Sequence, residues 1–394
     1  MNSFNLAKRL KPRQNLIKPA VFLISVLLLW GGWSVTSFSP PDGGRDIPAA
    51  KAKVVGIQSR VTSPFELGGE PMEETVITFF ARILSGPHKG KLVFSQQSSD
   101  PFYPIAHKEI VVGDKVMLHL IDDSSGTGVW QLGEFVRTDG LLWLAGVYVL
   151  LLLLLGRQKG LWVILSLALT CASIFFVFVP AIISGQNAYL WSSAVCLFTI
   201  LSTLLLVSGA NRKTVAAAVG CTAGVATAGL LTLLMSRLLL LSGYVDENSA
   251  YLATMGSGDI DLNAILFAGI VIGALGAVMD VSMSIASALW EIASQECTTP
   301  ANLWKSGIEI GRDVMGTMAN TLVLAYIGNS LSIVLLLIAY STSTIGLLNR
   351  EMIVVEILYA LVGSIGIVCV IPLTSAVCSA IYSQGGRIKE VTVS

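Results

Sequence analysis

The sequence has 394 residues, of which 54% are hydrophobic and 13% charged, and its 25 basic and 25 acidic residues cancel; its mean hydropathy is +0.74. Soluble domains carry about 25% charged residues. The deficit therefore excludes a disordered tail protein, a nucleic-acid binder working through a basic surface and an ordinary soluble enzyme. The charges are also unevenly placed. Residues 1–18 hold five basic residues and no acid, residues 19–137 hold 22 charges, and the remaining 257 residues hold only 23. A charge-poor stretch of that length reads as membrane.

In chain order, a basic leader (1–18: Lys8, Arg9, Lys11, Arg13, Lys18) precedes a first apolar segment at 19–38, with Trp30 and Trp33 towards its outer end. We read it as an uncleaved anchor. A cleaved signal peptide is the alternative, but the apolar core exceeds the usual ~7–15 residues and no clear A-x-A site follows. Residues 39–138 have ordinary polarity, with alternating stretches at 52–61, 75–84, 90–97, 109–121 and 129–136 separated by turn signals at 64–69, 86–90 and 122–126. Five short strands at that spacing predict a small antiparallel barrel, with an OB-like barrel as one form of it. Such a domain is a spacer or binds a peptide, glycan or protein partner. Its three histidines (His88, His107, His119) lack metal-motif spacing and read as surface or strand-face residues.

A spanning helix needs about 20 mainly apolar residues. Seven further spans are predicted within 139–385, at 141–155, 161–183, 188–207, 215–234, 262–290, 314–340 and 353–382, leaving a tail at 386–394. Positive-inside logic places both termini in the cytoplasm. Alternate connections carry Arg157 and Lys159, Arg212 and Lys213, and Lys305 and Arg312, and the tail carries Arg387 and Lys389. The opposite connections are uncharged (184–188) or acidic (243–261), with Arg350 on the wrong side and Arg237 ambiguous. The expected fold is an α-helical polytopic membrane protein of about eight transmembrane helices with a small all-β extracytoplasmic domain. Five of the six cysteines lie in apolar runs, Cys297 lies in a polar connector, and no CxxC pair exists. Neither a disulfide framework, nor a metal site, nor a cofactor is expected.

The sixth span is the informative one. Gly269, Gly273, Gly276, Asp280, Ser284, Ser287 and Glu291 recur at helical steps and share one face. Small residues there suit close helix packing, as in the Gly269-xxx-Gly273 pair. The opposite face (Ile265, Ile272, Leu275, Val278, Ile285, Leu289) suits lipid or apolar neighbours. Asp280 stands well inside the span, where a charge costs about 2.5–3.5 kcal/mol on insertion scales. Its two readings are a proton or cation relay with Ser284 and Asn320, and an acid that only fixes helix packing. The connector 291–313 carries a helix start at Thr299-Pro300. Its Leu303, Trp304 and Ile308 can lie on the membrane surface, and it ends in Arg312-Asp313, a candidate cytoplasmic gate. In the seventh span Asp313, Thr317, Asn320 and Thr321 share a face, and Asn320 is expected to bond across helices. Glu356, Tyr359, Gly363 and Gly366 share a face of the last span, with Glu356 near its outer boundary. The fifth span, with Gly220, Gly224 and Gly229, looks tightly packed, and the second to fourth look peripheral. The string Gly256-Ser257-Gly258-Asp259 matches the GxGD of intramembrane aspartyl proteases, but no second membrane aspartate in a Tyr-Asp context accompanies it. No enzymatic activity is expected.

The runs GALGAVMDVSMSIASALWE (273–291), SGIEIGRDVMGTMANTLVLAYIGNSL (306–331) and GSIGIVCVIPLTSAV (363–377) closely resemble the YibE/F-like family of bacterial membrane proteins. That resemblance implies a multi-pass plasma-membrane protein without an established biochemical activity. More distantly, the glycine-rich span with a mid-helix Asp, the amphipathic connector and the following G-T-x-A-N-T-L start are similar to one half of SecDF/RND-type proton-driven proteins. This chain departs from that plan in having two extra spans and a single half, so the likeness implies proton coupling only if the chain dimerises. The reading is a transport or translocation protein with Asp280 titrating. The alternative is a non-transporting assembly or sensory protein whose β domain captures a partner. Its surroundings are the lipid bilayer and, laterally, a second copy or another membrane protein; the substrate is not legible.

Overall fold

The computed structural model describes residues 3–36, 49–67, 70–98, 108–122, 128–255, 260–295, 299–340 and 343–390. His107, Cys297 and the Gly-Ser-Gly-Asp string at 256–259 lie outside the described residues. Two units divide the chain: Ser39–Leu151, and Met1–Phe38 together with Leu152–Ser394.

The first unit is built on β1 (Ala49–Leu67), β2 (Glu70–Ile83), β3 (Leu92–Ser98), β4 (Lys115–Asp122) and β5 (Gly128–Phe135). They close into a barrel in the order β1-β2-β3-β5-β4. The alternation works as expected: Ala52, Val54, Phe79, Ala81, Val116 and Leu118 point inwards and are buried together with Ile110. Two features differ from the sequence reading. The barrel is not wholly antiparallel, because β3 and β5 run parallel. Around a closed ring of five strands, directions cannot alternate throughout, so one neighbouring pair must be parallel. The strand predicted at 109–121 begins only at Lys115. Gly113 has a φ of +100° that turns the chain, and the Asp114 carboxylate holds the turn by accepting from the Val111 N–H at 3.1 Å. Lys108 donates to both oxygens of Asp114 at 2.9 and 3.0 Å. The Lys108 hydrogen bond holds the Asp114 carboxyl below the usual carboxylate range.

The second unit is helical. It contains α1 (Ser3–Thr36), part of α2 (Thr138–Ser173), a π-helical turn (Ile174–Phe178), α3 (Val179–Ile183), α4 (Ala188–Ser208), α5 (Arg212–Leu238), the short α6 (Glu247–Met255), α7 (Leu262–Gln295), α8 (Pro300–Asn329), α9 (Leu331–Tyr340), α10 (Thr344–Leu348) and α11 (Glu351–Glu390). Helix starts follow side-chain capping. The side chains of Asn187, Asn211 and Thr299 accept from backbone N–H groups in the first turns of α4, α5 and α8. Helix α6, inside the acidic connection, was not anticipated. Asp246 starts it by accepting from the Ser249 N–H (2.8 Å) and hydroxyl (2.6 Å), and the Ser249 hydroxyl bond is the main cause of its carboxyl lying below the ordinary range.

Six helical stretches are long and apolar enough to cross a membrane (Ile17–Thr36, Thr138–Ile183, Ala188–Ser208, Arg212–Leu238, Leu262–Gln295 and Glu351–Tyr382), or seven if the bent pair α8–α9 is one span. The predicted second and third spans fall within one 46-residue stretch, Thr138–Ile183. Arg157 breaks it, with φ 47° and ψ −127°. Gly160 also packs onto the Leu152 carbonyl, which a straight helix would place about 12 Å away. The chain therefore turns back at Arg157. The predicted seventh span differs more. Helix α8 runs without interruption from Pro300, so the connector is no separate surface helix, and Leu303 is buried. The helix then bends by 59° into α9, where the Ser330 hydroxyl bonds back to the Tyr326 carbonyl at 3.0 Å.

Helices α5, α7 and α11 form the centre, and glycines set how closely they approach. A side chain at Gly220 would meet Thr374; one at Gly224 would lie 2.9 Å from Val278 and Val370; one at Gly311 would meet Ile371. The tight packing expected of the fifth span is present. Of α7's most apolar window 56% is buried, against 11% for α1, so α7 is central and α1 peripheral. One end of the unit gathers basic residues: Lys18 donates to the Val207 carbonyl at 3.2 Å and lies 5.6 Å over the Trp162 ring. At the end where α11 starts, Glu351 accepts from the Ser242 N–H and hydroxyl (2.8 Å each) and from the Gly243 N–H (2.7 Å).

Candidate functional site

Helix α7 separates two kinds of surface. Leu275, Val278, Val281, Ser282, Ile285 and Leu289 are buried, packed with residues of α5 and α11. Gly273, Gly276, Asp280, Ser284 and Glu291 are exposed, and Gly269 and Ser287 are half-buried. The stripe that the periodicity singled out is thus the open side of the helix. The face offered to lipid or apolar neighbours is the one that packs inside the bundle. The physical reason is close packing: Val278 seats against Gly224 of α5 and Leu289 against Gly307 of α8, so the small residues that admit these side chains stand on the partner helices and not on the stripe.

The three stripe glycines have different surroundings. A side chain at Gly269 would collide with the Tyr359 hydroxyl of α11, and one at Gly273 with the Tyr326 hydroxyl of α8. At Gly276 nothing lies within 4 Å. The close approach expected at 269 and 273 is made by tyrosine hydroxyls and not by another helix backbone, and at 276 no neighbour uses the space.

Asp280 is exposed on this stripe. Among the described residues neither Asp280 nor Ser284 nor Asn320 has a hydrogen bond to another side chain, so the expected Asp280–Ser284–Asn320 bonding is not formed. The reason lies in how α8 is turned. Its buried Leu303, Gly307 and Gly311 face inwards, with Gly307 against Ser375 and Leu289 and Gly311 against Ile371. That rotation leaves Arg312, Asp313, Gly316, Thr317, Asn320 and Thr321 exposed. Thr317 and Thr321 bond back to carbonyls of their own helix, at 3.0 and 2.8 Å. Arg312 forms no ion pair with Glu309, Asp280 or Glu291 among the described residues. Arg312 and Asp313 remain adjacent exposed charges in α8.

Sequence reasoning missed the polar contacts inside the bundle. The Ser282 hydroxyl donates to the Ala217 carbonyl at 2.7 Å and lies 3.1 Å from the Thr374 hydroxyl. With its one proton given to the carbonyl, Ser282 accepts from Thr374. This ties α5, α7 and α11 at one buried point. The Tyr382 hydroxyl donates to the Ala286 carbonyl at 3.0 Å, and its ring meets Trp290 edge-on at 5.3 Å. The available signal was a serine placed among Val278, Ile285 and Leu289 on the apolar face, where a hydroxyl needs a partner.

No group of three or more His, Cys, Asp or Glu among the described residues is placed to hold a metal ion. The described cysteines (Cys171, Cys196, Cys221, Cys369, Cys378) are free thiols.

Residues 144–384 match the family described as YibE/F-like protein. No curated protein matches the chain, and no solved structure does. The matched region contains α7, α8 and α11 and hence every residue of the stripe. The distant SecDF/RND likeness stays a resemblance of segments.

Proposed function

The chain belongs to the YibE/F-like family, and on that premise we propose that it is a multi-pass plasma-membrane protein with a transport or translocation role, in which Asp280 carries a proton or cation. The observation that carries the reading is the position of Asp280: it is exposed, without a hydrogen-bonding partner among the described residues, on the open side of the most buried apolar helix. An acid retained to fix helix packing is bonded across helices; an unpaired charge facing hydrocarbon costs several kcal/mol, so the relay reading requires water or a second copy against Asp280 and fails if Asp280 faces lipid. Here Ser282, one face away, does the bonding. A carboxylate outside that network, with open space one turn away at Gly276, has the features of a group that exchanges ions. On this reading the stripe is closed laterally by a second copy or by water. Ser284 is its polar neighbour one turn along, and Arg312 and Asp313 control the cytoplasmic mouth; Asn320, turned away on α8, is left out of the relay.

The membrane reading has eight crossings, obtained by counting α8–α9 as one span and the fold-back at Arg157 as separating two. Both termini are then cytoplasmic. Lys18 reaches the Val207 carbonyl, at the connection that leads to Arg212 and Lys213 at the start of α5, and this supports that sidedness, since basic residues stay on the cytoplasmic side. No catalytic step is assigned.

A second reading has its own observation. Phe80 and Phe94 are exposed neighbours on β2 and β3 of the barrel, edge-on at 5.9 Å. Exposed aromatic pairs favour capture of a partner over the behaviour of a plain spacer. Proteoliposomes holding the full chain, with an entrapped pH-sensitive dye and, in parallel, radioactive sodium, test the choice. Transport predicts ion entry that Asp280→Asn abolishes. Equal entry in both proteins, with partner capture lost on Phe80→Ala, defeats it.

A further inference from the structure

Asp280 is not the only unpartnered polar group along the stripe. Towards the start of α7, Tyr326 of α8 and Tyr359 of α11 pack with ring centroids 5.5 Å apart. Their hydroxyls occupy the space that side chains at Gly273 and Gly269 would fill. Glycine offers them no side-chain partner, and neither hydroxyl is hydrogen-bonded among the described residues. Glu356 lies one turn before Tyr359 on the same face of α11. It is half-buried, on the side of α11 from which Tyr359 reaches Gly269. It likewise makes no hydrogen bond or ion pair among the described residues. Gly273 and Asp280 are seven residues apart on one helix, about 10 Å along its axis, and the space at Gly276 between them is empty of side chains.

Tyrosines of membrane helices are ordinarily interfacial anchors with their hydroxyls turned to the headgroups. These two hydroxyls are turned onto the glycine backbone of α7 instead, beside an acid. Hydroxyl and carboxylate oxygens are the ligand types that suit protons and hard cations. We propose that Glu356, Tyr359 and Tyr326 form a second cation station on the α7 stripe, which handles the same proton or monovalent cation as Asp280 and hands it along the open side of α7. The glycines at 269 and 273 are required there because any side chain would displace the hydroxyls. The proposal rests on the reading of Asp280 as an ion-carrying group.

Two measurements on the full-length protein decide it. In proteoliposomes, proton entry is followed with the entrapped dye and sodium entry with the radioactive ion, which separates the two cation sources. Glu356→Gln and the pair Tyr326→Phe with Tyr359→Phe are expected to slow entry by roughly tenfold or more, the loss of one charge-assisted interaction. Wild-type entry in both variants, while Asp280→Asn abolishes it, overturns the station and leaves Asp280 standing. Wild-type entry in Asp280→Asn overturns the reading beneath it. The second measurement needs no turnover. In a cysteine-free background, Tyr359→Cys and Gly276→Cys are exposed to a membrane-impermeant cationic thiol reagent, with Ile357→Cys, on another face of α11, as control. Modification at 359 and 276 but not at 357, slowed by Glu356→Gln for the cationic reagent and not for an anionic one, supports the station. Absence of modification at 359, or no preference for the cation, overturns it whether or not flux is detected.

Discussion

The two faces of α7 follow opposite rules. On the inner face packing and pairing dominate: glycines of α5 and α8 receive the side chains of α7 and α11, and the Ser282 hydroxyl has a carbonyl and a hydroxyl as partners, while the buried Asn263 Oδ1 near the start of α7 is left without one. On the outer face a carboxylate, two serines and an open glycine position stand without such answers among the described residues. One stretch of helix, 276–287, therefore holds both a stability element and a candidate working surface. Polarity alone does not tell them apart; the presence or absence of a partner does.

The largest effect that tests this contrast comes from the glycines. Gly220→Ala places a methyl group onto Thr374, both side chain and backbone. Overpacking of that kind costs about 1–3 kcal/mol, so thermal unfolding of the detergent-purified protein should move well below wild type. Gly276→Ala meets nothing within 4 Å and should stay within about 0.5 kcal/mol. Equal losses in the two variants would break the distinction between the faces. The serines give a smaller version of the comparison. Ser282→Ala removes a donor from the Ala217 carbonyl and an acceptor from Thr374, at a cost of about 1–2 kcal/mol. Ser284→Ala, on the open side, should leave stability unchanged and act only on ion entry. A stability loss at 284 matching that at 282 would place Ser284 in the packing network.

The smallest effect contrasts a paired carboxylate with the unpaired one. Asp114 of the barrel is held low chiefly by its hydrogen bond to Lys108. An acid depressed in the folded state adds stability that is present above its unfolded value, about 3.9, and lost as pH falls through the lower folded value. Limited proteolysis of the full chain should therefore show the segment around 108–115 opening only below roughly pH 4. Asp114→Asn should make the same segment labile at neutral pH. Resistance of Asp114→Asn at neutral pH would show that the turn does not depend on the pair.

The legible parts of the sequence were those governed by local period. Alternation located the five strands, because a strand with one buried face must alternate. The 3.6-residue period located the α7 stripe, and a length near 20 apolar residues located most of the spans. Rotation of a helix against its neighbours was not legible. Nothing in the spacing of Arg312, Asp313 and Asn320 says that Gly307 and Gly311 turn α8 the other way, yet that rotation removes Asn320 from Asp280. The bend after Asn329 had a local signal in Gly328-Asn329-Ser330, where the Ser330 hydroxyl bonds back to the Tyr326 carbonyl, but its angle of 59° was not legible. The parallel β3–β5 pair followed from closure of five strands, which no single strand announces. The meeting of Tyr326 with Tyr359 was hidden for a related reason: they lie on different helices, and only the fold brings both to α7.

The central claim is that Asp280 is an unpartnered, ion-exchanging carboxylate at the membrane level of α7. A hydrophobic carbodiimide, which forms an adduct with protonated carboxyl groups in apolar surroundings, tests it most directly when membranes holding the intact protein are treated over a range of pH and the modified peptides identified by mass. The account predicts an adduct on Asp280 that forms faster as pH falls and is absent in Asp280→Asn. An Asp280 that stays unmodified at every pH, while exposed acids such as Glu291 are labelled, would contradict it.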